Sequence, residues 1–536
     1  MQGDWDHIIV GAGSSGCVLA ARLAEAGRRV LLLEAGGSDR RLFVQMPLGY
    51  GKLYHDPRVN WNFATEPDPG LLGARDHWPR GKVLGGSSSI NAMVWIRGHP
   101  GDYDDWAAAG ATGWAWSDVL PAFRALEHYA PGEPDFRGQG GPLHIDPGAD
   151  RIHPLTAAFL KAAEATGLPA NADFNGRAME GVGTYQLTVR NGRRNSAARA
   201  FLRPAMRCAN LKVMTRAQVT RIVVRNGRAT GVEYRRDGRP GVAEGGEVIL
   251  SAGAIGSPQI LMLSGIGPGA NLQKAGVTTT LDQPNVGANL NDHQGINYTW
   301  RAHIPSLNDA LRPWWGKARL GAQWLATRTG PLARSVNAAG GFFRTDPLLD
   351  RPNMQLYFQA FSTLLPRAGE RPILTPDPFS GLSIGLSNCR PRSRGRIELA
   401  GPDPFAAPRI FANALSDPAD AAELLEGCRM LRRIAAAAPL SELLAEELRP
   451  GAAIVDDDAI ERDMRARSGT VFHPSCTCRM GGDPATSVLD PQMRVRGIDG
   501  LRVCDASAFP TLPGGNTNAP AIMMGWRGAD VILGRV

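Results

Sequence analysis

Apolar residues come in short, closed runs along this chain, and the first of them sets the pattern. His7-Ile8-Ile9-Val10 stops abruptly at Gly11, as a strand buried on both faces does. Gly11, Gly13 and Gly16 then follow as G-x-G-x-x-G. In that spacing the first glycine permits a tight turn and the second lets a pyrophosphate approach the backbone. The third lets the next helix pack close to the sheet. That helix presents Cys17, Ala20, Ala21 and Ala24 at helical spacing, all small, and Gly27 ends it. Residues 30–33 form a second buried strand with Glu34 at its end. A carboxylate there accepts hydrogen bonds from an adenosine ribose and repels a 2′-phosphate. The pattern predicts a dinucleotide site for FAD or NAD, and this segment by itself does not choose between them.

Residues 36–80 are dense in glycine, proline and aromatics and read as a long loop wrapped over a ligand. Residues 81–91, GKVLGGSSSIN, form a second glycine- and serine-rich turn suited to an extended anionic cofactor. Residues 102–127 read as helix, loop and helix, with Trp106, Trp114 and Trp116 in the core. A further helix is predicted over 154–167, apolar at Leu155, Ala158, Phe159 and Ala162. Two alternating runs, 219–224 and 229–234, flank Asn226-Gly227 and predict a β-hairpin. It leads into a buried strand over 247–253, with Ser257-Pro258 as the cap and first turn of the helix beyond. From about 294 to 465 the style changes. Strand-like runs at 354–361 and 382–386, with Trp300, Trp314, Trp315 and Trp324, predict an antiparallel sheet. Past Ser468 the Gly/Pro/Asn-rich style returns and ends in a helix from about 519 to 533.

A chain of 536 residues suffices for two interleaved domains. The net charge of +8 raises nucleic acid as a partner, but the basic residues are scattered among acids, so none is expected. Seven cysteines, an odd number, form no disulfide framework and point to a cytoplasmic location. Cys476-x-Cys478 lacks a second ligand pair, so no metal is expected. The first strand starts too near the N-terminus for a signal peptide. No apolar run reaches ~18 residues, so no transmembrane segment is expected.

Taken together, the motifs resemble the glucose–methanol–choline (GMC) oxidoreductases, and the resemblance covers nearly the whole chain. Residues 81–91, continuing through Trp95 and Gly98 to Asp104, look like the first family signature, and 253–267, GAIGSPQILMLSGIG, look like the second. Residues 286–293, VGANLNDH, are similar to a further recurrent stretch. His473-Pro474 and Asn516-Thr517-x-x-Pro520 are similar to the catalytic segments.

The resemblance implies an α/β fold. A discontinuous Rossmann-type FAD-binding domain (1–155, 192–293 and 465–536) accompanies an α+β substrate domain on an antiparallel sheet (156–191 and 294–464). It implies FAD, with Gly11, Gly13, Gly16 and Glu34 on the ADP half and Gly86, Ser87 and Asn91 along the pyrophosphate and flavin. Ser14, Ser15, Ala35, Ala92, Val94 and Val219 are further expected contacts. Asp505 and Ala506 match the late FAD-binding strand end, and Asn516 and Thr517 border the flavin. His473 is implied as the base that takes the alcohol proton, and Asn516 as the amide that orients the substrate oxygen. A structural role is expected for His293. Ile90 stands where some relatives carry a histidine covalently bonded to FAD, so FAD is expected to be non-covalent.

Phe472 replaces the tryptophan that many relatives carry, and Ser475-Cys476 stands where glycine-type residues are common. Cys476 and Cys478 are read as buried, inert thiols. Met93, Val94, Trp95 and Phe472 suggest an apolar pocket wall with no carboxylate. The expected reaction is oxidation of a primary alcohol to the aldehyde, aromatic or furanic alcohols preferred, with O2 or another acceptor reoxidising the flavin. The alternatives are a choline-type or aliphatic alcohol dehydrogenase, and a hydroxynitrile lyase on the same fold.

Overall fold

The computed structural model describes residues 5–148, 152–364 and 375–536. Residues 1–4, 149–151 and 365–374 of the expected domain spans lie outside the described residues. Strand β1 (Trp5–Val10), helix α1 (Ser14–Glu25) and strand β2 (Val30–Glu34) form where the apolar runs place them. β2 is buried throughout, as a parallel strand covered on both faces must be.

These strands lie at the centre of a seven-stranded sheet in the order Leu211–Thr215, β2, β1, Arg239–Leu250, Arg228–Arg236, Ala217–Arg225. Strand Leu501–Val503 pairs in parallel with the end of Arg239–Leu250. The half around β1 and β2 is parallel, and the predicted hairpin supplies the antiparallel half. At its turn Asn226 and Gly227 both have positive φ, 50° and 75°, which suits the right-handed twist of the strands they join. Helix Asn518–Ile532 crosses α1 so closely that a Cβ on Gly525 would meet the Ser15 carbonyl oxygen at 2.5 Å.

The second sheet is antiparallel, in the order Leu444–Arg449, Gln294–Ala302, Gly381–Asn388, Met354–Gln359, Ala339–Phe343, Gly181–Thr184. Strict alternation divides its faces. Met354, Leu356 and Phe358, with Leu382, Ile384 and Leu386, enter an apolar core shared with helices Pro154–Ala165 and Pro418–Ala436. Tyr357, Gln359, Ser383, Asn297 and Thr299 take the opposite face and line a cavity.

Three local expectations change. Trp314 and Trp315 lie on a helix, Trp314–Thr327, and face solvent, while Trp324 of that helix is buried. Trp116 is only partly buried. Ser257-Pro258 does not open its helix, which runs Gly253–Leu263 with Pro258 inside it. A proline there frees the carbonyl four residues back. That carbonyl, of Ala254, accepts instead from the Thr477 hydroxyl at 2.6 Å, so the helix continues. Thr477→Val, of nearly equal volume, leaves this buried acceptor unpaired. Urea unfolding of the holoprotein is expected to show a loss of about 1–3 kcal/mol, whereas Thr477→Ser stays near the parent.

Candidate active site

One cavity of about 590 Å³ is lined by both sheets. The first sheet contributes the ends of β1 and β2, through Val10, Leu33 and Glu34, and the second contributes its polar face. Of the residues expected to hold the cofactor or act in catalysis, every one lines this cavity except Gly16. Gly16 acts one step back. A Cβ there would lie 1.9 Å from the Gly11 carbonyl oxygen, so the glycine brings α1 against the sheet.

The cavity fits an extended dinucleotide on three observations. First, Gly86 faces Gly13 so closely that a Cβ on it would meet the Gly13 Cα at 2.7 Å, leaving bare backbone on both sides. Second, helices α1 and Asn518–Ile532 both begin on the cavity without a side-chain cap, at Gly13 and Thr517. Their first-turn N–H groups and dipoles favour negative charge. Third, the Ser14 hydroxyl donates to Asn518 Oδ1 at 2.8 Å, tying the two helix ends together.

Glu34 accepts from Ala12 N at 2.9 Å and Gly36 N at 2.7 Å, and burial pushes its carboxyl up to about 7. Asp505 turns its carboxylate inward, accepting from Gly253 N at 2.8 Å, Ser257 Oγ at 2.5 Å and Ser507 N at 2.8 Å. It fixes the start of helix Gly253–Leu263 at the cavity edge.

His473 and Asn516 meet, with Asn516 Nδ2 3.1 Å from His473 Nε2. On the far side His473 Nδ1 lies 2.9 Å from His293 Nδ1, and His293 Nε2 lies 2.8 Å from the Cys389 carbonyl oxygen. Proton positions along this row follow from its last member. A carbonyl only accepts, so His293 Nε2 carries a hydrogen. Burial pulls the His293 pKa down to about 4, so its ring is neutral and its Nδ1 accepts. His473 Nδ1 therefore donates. Burial, then His293 and Arg80, hold His473 well below the usual imidazole range. Its Nε2 is thus a bare lone pair, accepting from Asn516. Asn516 is fixed in turn, because Gln355 Nε2 donates to its Oδ1 at 3.1 Å and Tyr357 donates to Gln355 Oε1 at 2.7 Å.

The backbone that carries His473 is held by buried charge. Asp292 accepts from His473 N at 2.8 Å and from the Thr470 hydroxyl, and Asp76 accepts from Thr470 N at 2.7 Å. Arg80 donates to the Phe472 carbonyl oxygen at 2.6 Å. These bonds hold Phe472 at φ 71°, a left-handed conformation that a bulky residue adopts only under constraint. Burial raises Asp292 to about 7 and Asp76 to about 6 and lowers Arg80 to about 10.

Asp76, Arg80, Asp292, Gln355 and Tyr357 were not among the expected site residues. The signal for Gln355 and Tyr357 was present in the alternation of M-Q-L-Y-F-Q, where every second residue is polar. Trp95 is a correction to the expected pocket wall. It lies in the core with its Nε1 donating to Glu127 at 3.0 Å, away from the cavity that Met93, Val94 and Phe472 line. Cys476 and Cys478 are buried free thiols, and burial pushes Cys476 up to about 11. Ile90 is buried against the cavity.

Two family models, the N- and C-terminal regions of the GMC oxidoreductases, match residues 5–295 and 391–525. The chain belongs to the GMC oxidoreductases. It is 42% identical to an oxygen-dependent choline dehydrogenase of Vibrio vulnificus (strain YJ016), over 99% of this chain and 95% of that protein. It is 40% identical to an alcohol dehydrogenase [acceptor] of Pseudomonas putida, over 99% and 96%. The crystal structure of pyridoxine 4-oxidase from Mesorbium loti superimposes with a TM-score of 0.89 at 30% identity, covering 98% of each chain. As a GMC member the protein is an FAD-dependent oxidoreductase that oxidises alcohols.

The neutral His293 makes stability pH-dependent. Unfolded histidine titrates near 6.5 while folded His293 titrates at about 4, so its contribution is full above pH 6.5 and falls as pH drops towards 4. The stability gap between the parent and His293→Gln, measured by urea unfolding of the holoproteins, is expected to shrink by about 2 kcal/mol between pH 7 and pH 5.

Proposed function

We propose that this GMC enzyme oxidises an uncharged aliphatic primary alcohol to the aldehyde, with His473 Nε2 taking the hydroxyl proton. Support comes from the bare Nε2 lone pair, set 3.1 Å from the Asn516 amide. Asn516 Nδ2 then orients the substrate oxygen, because Gln355 holds the other end of the amide. A positioned base of this kind contributes ~10²–10⁴ in rate. Bound FAD supplies the two-electron acceptor for the carbon-bound hydrogen. Gly13, Ser14 and Gly86 would hold its pyrophosphate and Glu34 its ribose, and Asn91, Ala506 and Thr517 would border the flavin. Isoleucine at position 90 offers no nucleophile, so FAD is held without a covalent bond. The sheet around β1 serves as the cofactor half and the antiparallel sheet as the substrate half. O2 or another acceptor reoxidises the flavin.

The choline dehydrogenase relatives favour choline-type alcohols over the aromatic or furanic ones expected from the sequence, and the alcohol dehydrogenase relative leaves the class of alcohol open. The cavity lining separates those two classes. Among the described residues its carboxylates are Glu34, Asp76 and Asp505, each held by hydrogen bonds and raised by burial. None is placed as a free counter-ion for a cation. Tyr54, Met93, Val336 and Phe472 supply the apolar wall. A second reading, choline itself, draws on the choline dehydrogenase relatives and on the Tyr54–Phe472 ring pair, whose centroids are 5.3 Å apart. Aromatic faces attract quaternary ammonium.

Anaerobic stopped-flow with 1-butanol, benzyl alcohol and choline at equal concentration decides between them. The flavin is expected to bleach fastest with butanol. Faster bleaching by choline replaces this reading with the second, and no bleaching by any alcohol contradicts both. His473→Ala is expected to slow bleaching by 10²-fold or more while keeping the bound-FAD spectrum, with Asn516→Ala impaired less. Acid precipitation of the parent is expected to release all the yellow colour.

A further inference from the structure

Helix Trp314–Thr327 carries a surface that oxidation chemistry does not use. Gly316, Leu320 and Trp324 are buried, and Leu320 and Trp324 join Tyr50, Tyr54, Met93 and Phe472 in the apolar cluster that walls the cavity. On the outer face Trp314, Trp315, Ala318, Ala322, Leu325 and Ala326 are all exposed and form an unbroken apolar stripe. Trp314 is 79% exposed, Trp315 58% and Leu325 57%, and no other tryptophan among the described residues is exposed. By helical geometry Lys317 flanks the stripe on one side and Arg319 on the other, both exposed. Between Asp309 and Asp346 the sequence holds no acid.

A stripe of tryptophan, leucine and alanine edged by cations has the chemistry of a helix that lies in a bilayer interface. Indole rings settle at headgroup depth, and the flanking lysine and arginine meet lipid phosphates. The charge is complementary to one surface in particular, an anionic leaflet. A second exposed apolar pair, Leu42 and Phe43, follows Arg40 and Arg41. It precedes the segment Pro47–Lys52 that packs against Pro331–Ala333, just beyond this helix.

We propose that the outer face of helix Trp314–Thr327 docks the enzyme peripherally on anionic lipid, with Trp314 and Trp315 inserted and Lys317 and Arg319 on the headgroups. Among the described residues no helix is long and apolar enough to cross a membrane, so the attachment is to the surface. Since the buried side of this helix packs against the cavity wall, the docked enzyme works beside the bilayer.

The test is co-sedimentation of the FAD-loaded enzyme with vesicles of phosphatidylcholine, with and without one quarter phosphatidylglycerol. Binding is expected to the anionic vesicles, to weaken in 0.5 M salt, and to fall about ten-fold or more in Trp314→Ser/Trp315→Ser. Lys317→Glu/Arg319→Glu is expected to lose the preference for phosphatidylglycerol. Bound-FAD absorbance and the rate of flavin bleaching, unchanged in both variants, exclude misfolding. No binding to anionic vesicles, or binding that the tryptophan variant leaves intact, overturns the proposal. So does a tryptophan-dependent dimer in light scattering without vesicle binding, which assigns the face to a second copy of the chain.

Discussion

A buried imidazole that is to take a proton must be neutral and must keep its own hydrogen on the nitrogen facing away from the substrate. In this protein the Cys389 carbonyl decides the second condition, because it can only accept and so places the hydrogen of His293 on Nε2. The opposite arrangement, with hydrogens on His293 Nδ1 and His473 Nε2, sets two donors against each other across the 3.1 Å between His473 Nε2 and Asn516 Nδ2 and leaves that carbonyl unpaired. Each buried unpaired polar group costs about 1–3 kcal/mol, and 1.4 kcal/mol is already a ten-fold bias. Burial meets the first condition by lowering both histidines, and the nearby Arg80 lowers His473 further.

The rest of the architecture brings this row together and keeps a polar cavity beside it. His293 immediately precedes strand Gln294–Ala302 of the antiparallel sheet, Cys389 follows another strand of it, and Gln355 lies on a third. His473 and Asn516 belong to the last stretch of chain, which returns to the parallel sheet through Leu501–Val503 and helix Asn518–Ile532. The two sheets therefore meet at the histidine pair. The glycine contacts perform the equivalent task for the cofactor. At Gly16 and Gly86 the space for a side chain is already taken by backbone, so the cradle admits only glycine.

What could be read in the sequence was whatever is local. The β1-α1-β2 unit, the Asn226-Gly227 hairpin and the apolar strands at 354 and 382 each declare themselves within a dozen residues, since period and turn chemistry are short-range. The expected cofactor and catalytic residues followed from motifs, and all but Gly16 line the cavity. The rest was hidden by distance or by compensation. His293 and His473 are 180 positions apart, and nothing in either neighbourhood records their contact. Asp76 and Asp292 look like surface acids until the fold buries them on Thr470. Pro258 reads as the start of a helix because the Thr477 hydroxyl that rescues its lost bond arrives from far along the chain. Trp95 sits beside Val94 in sequence but on the other side of the backbone, against Glu127.

The claim on which the account turns is the position of one hydrogen at His473, and neutron diffraction from deuterated crystals at neutral pH observes it directly. Deuterium is predicted on Nδ1 of His473 and on Nε2 of His293, with Nε2 of His473 bare beside the Asn516 amide. Deuterium on Nε2 of His473, alone or with Nδ1, would contradict the assignment of that nitrogen as the base.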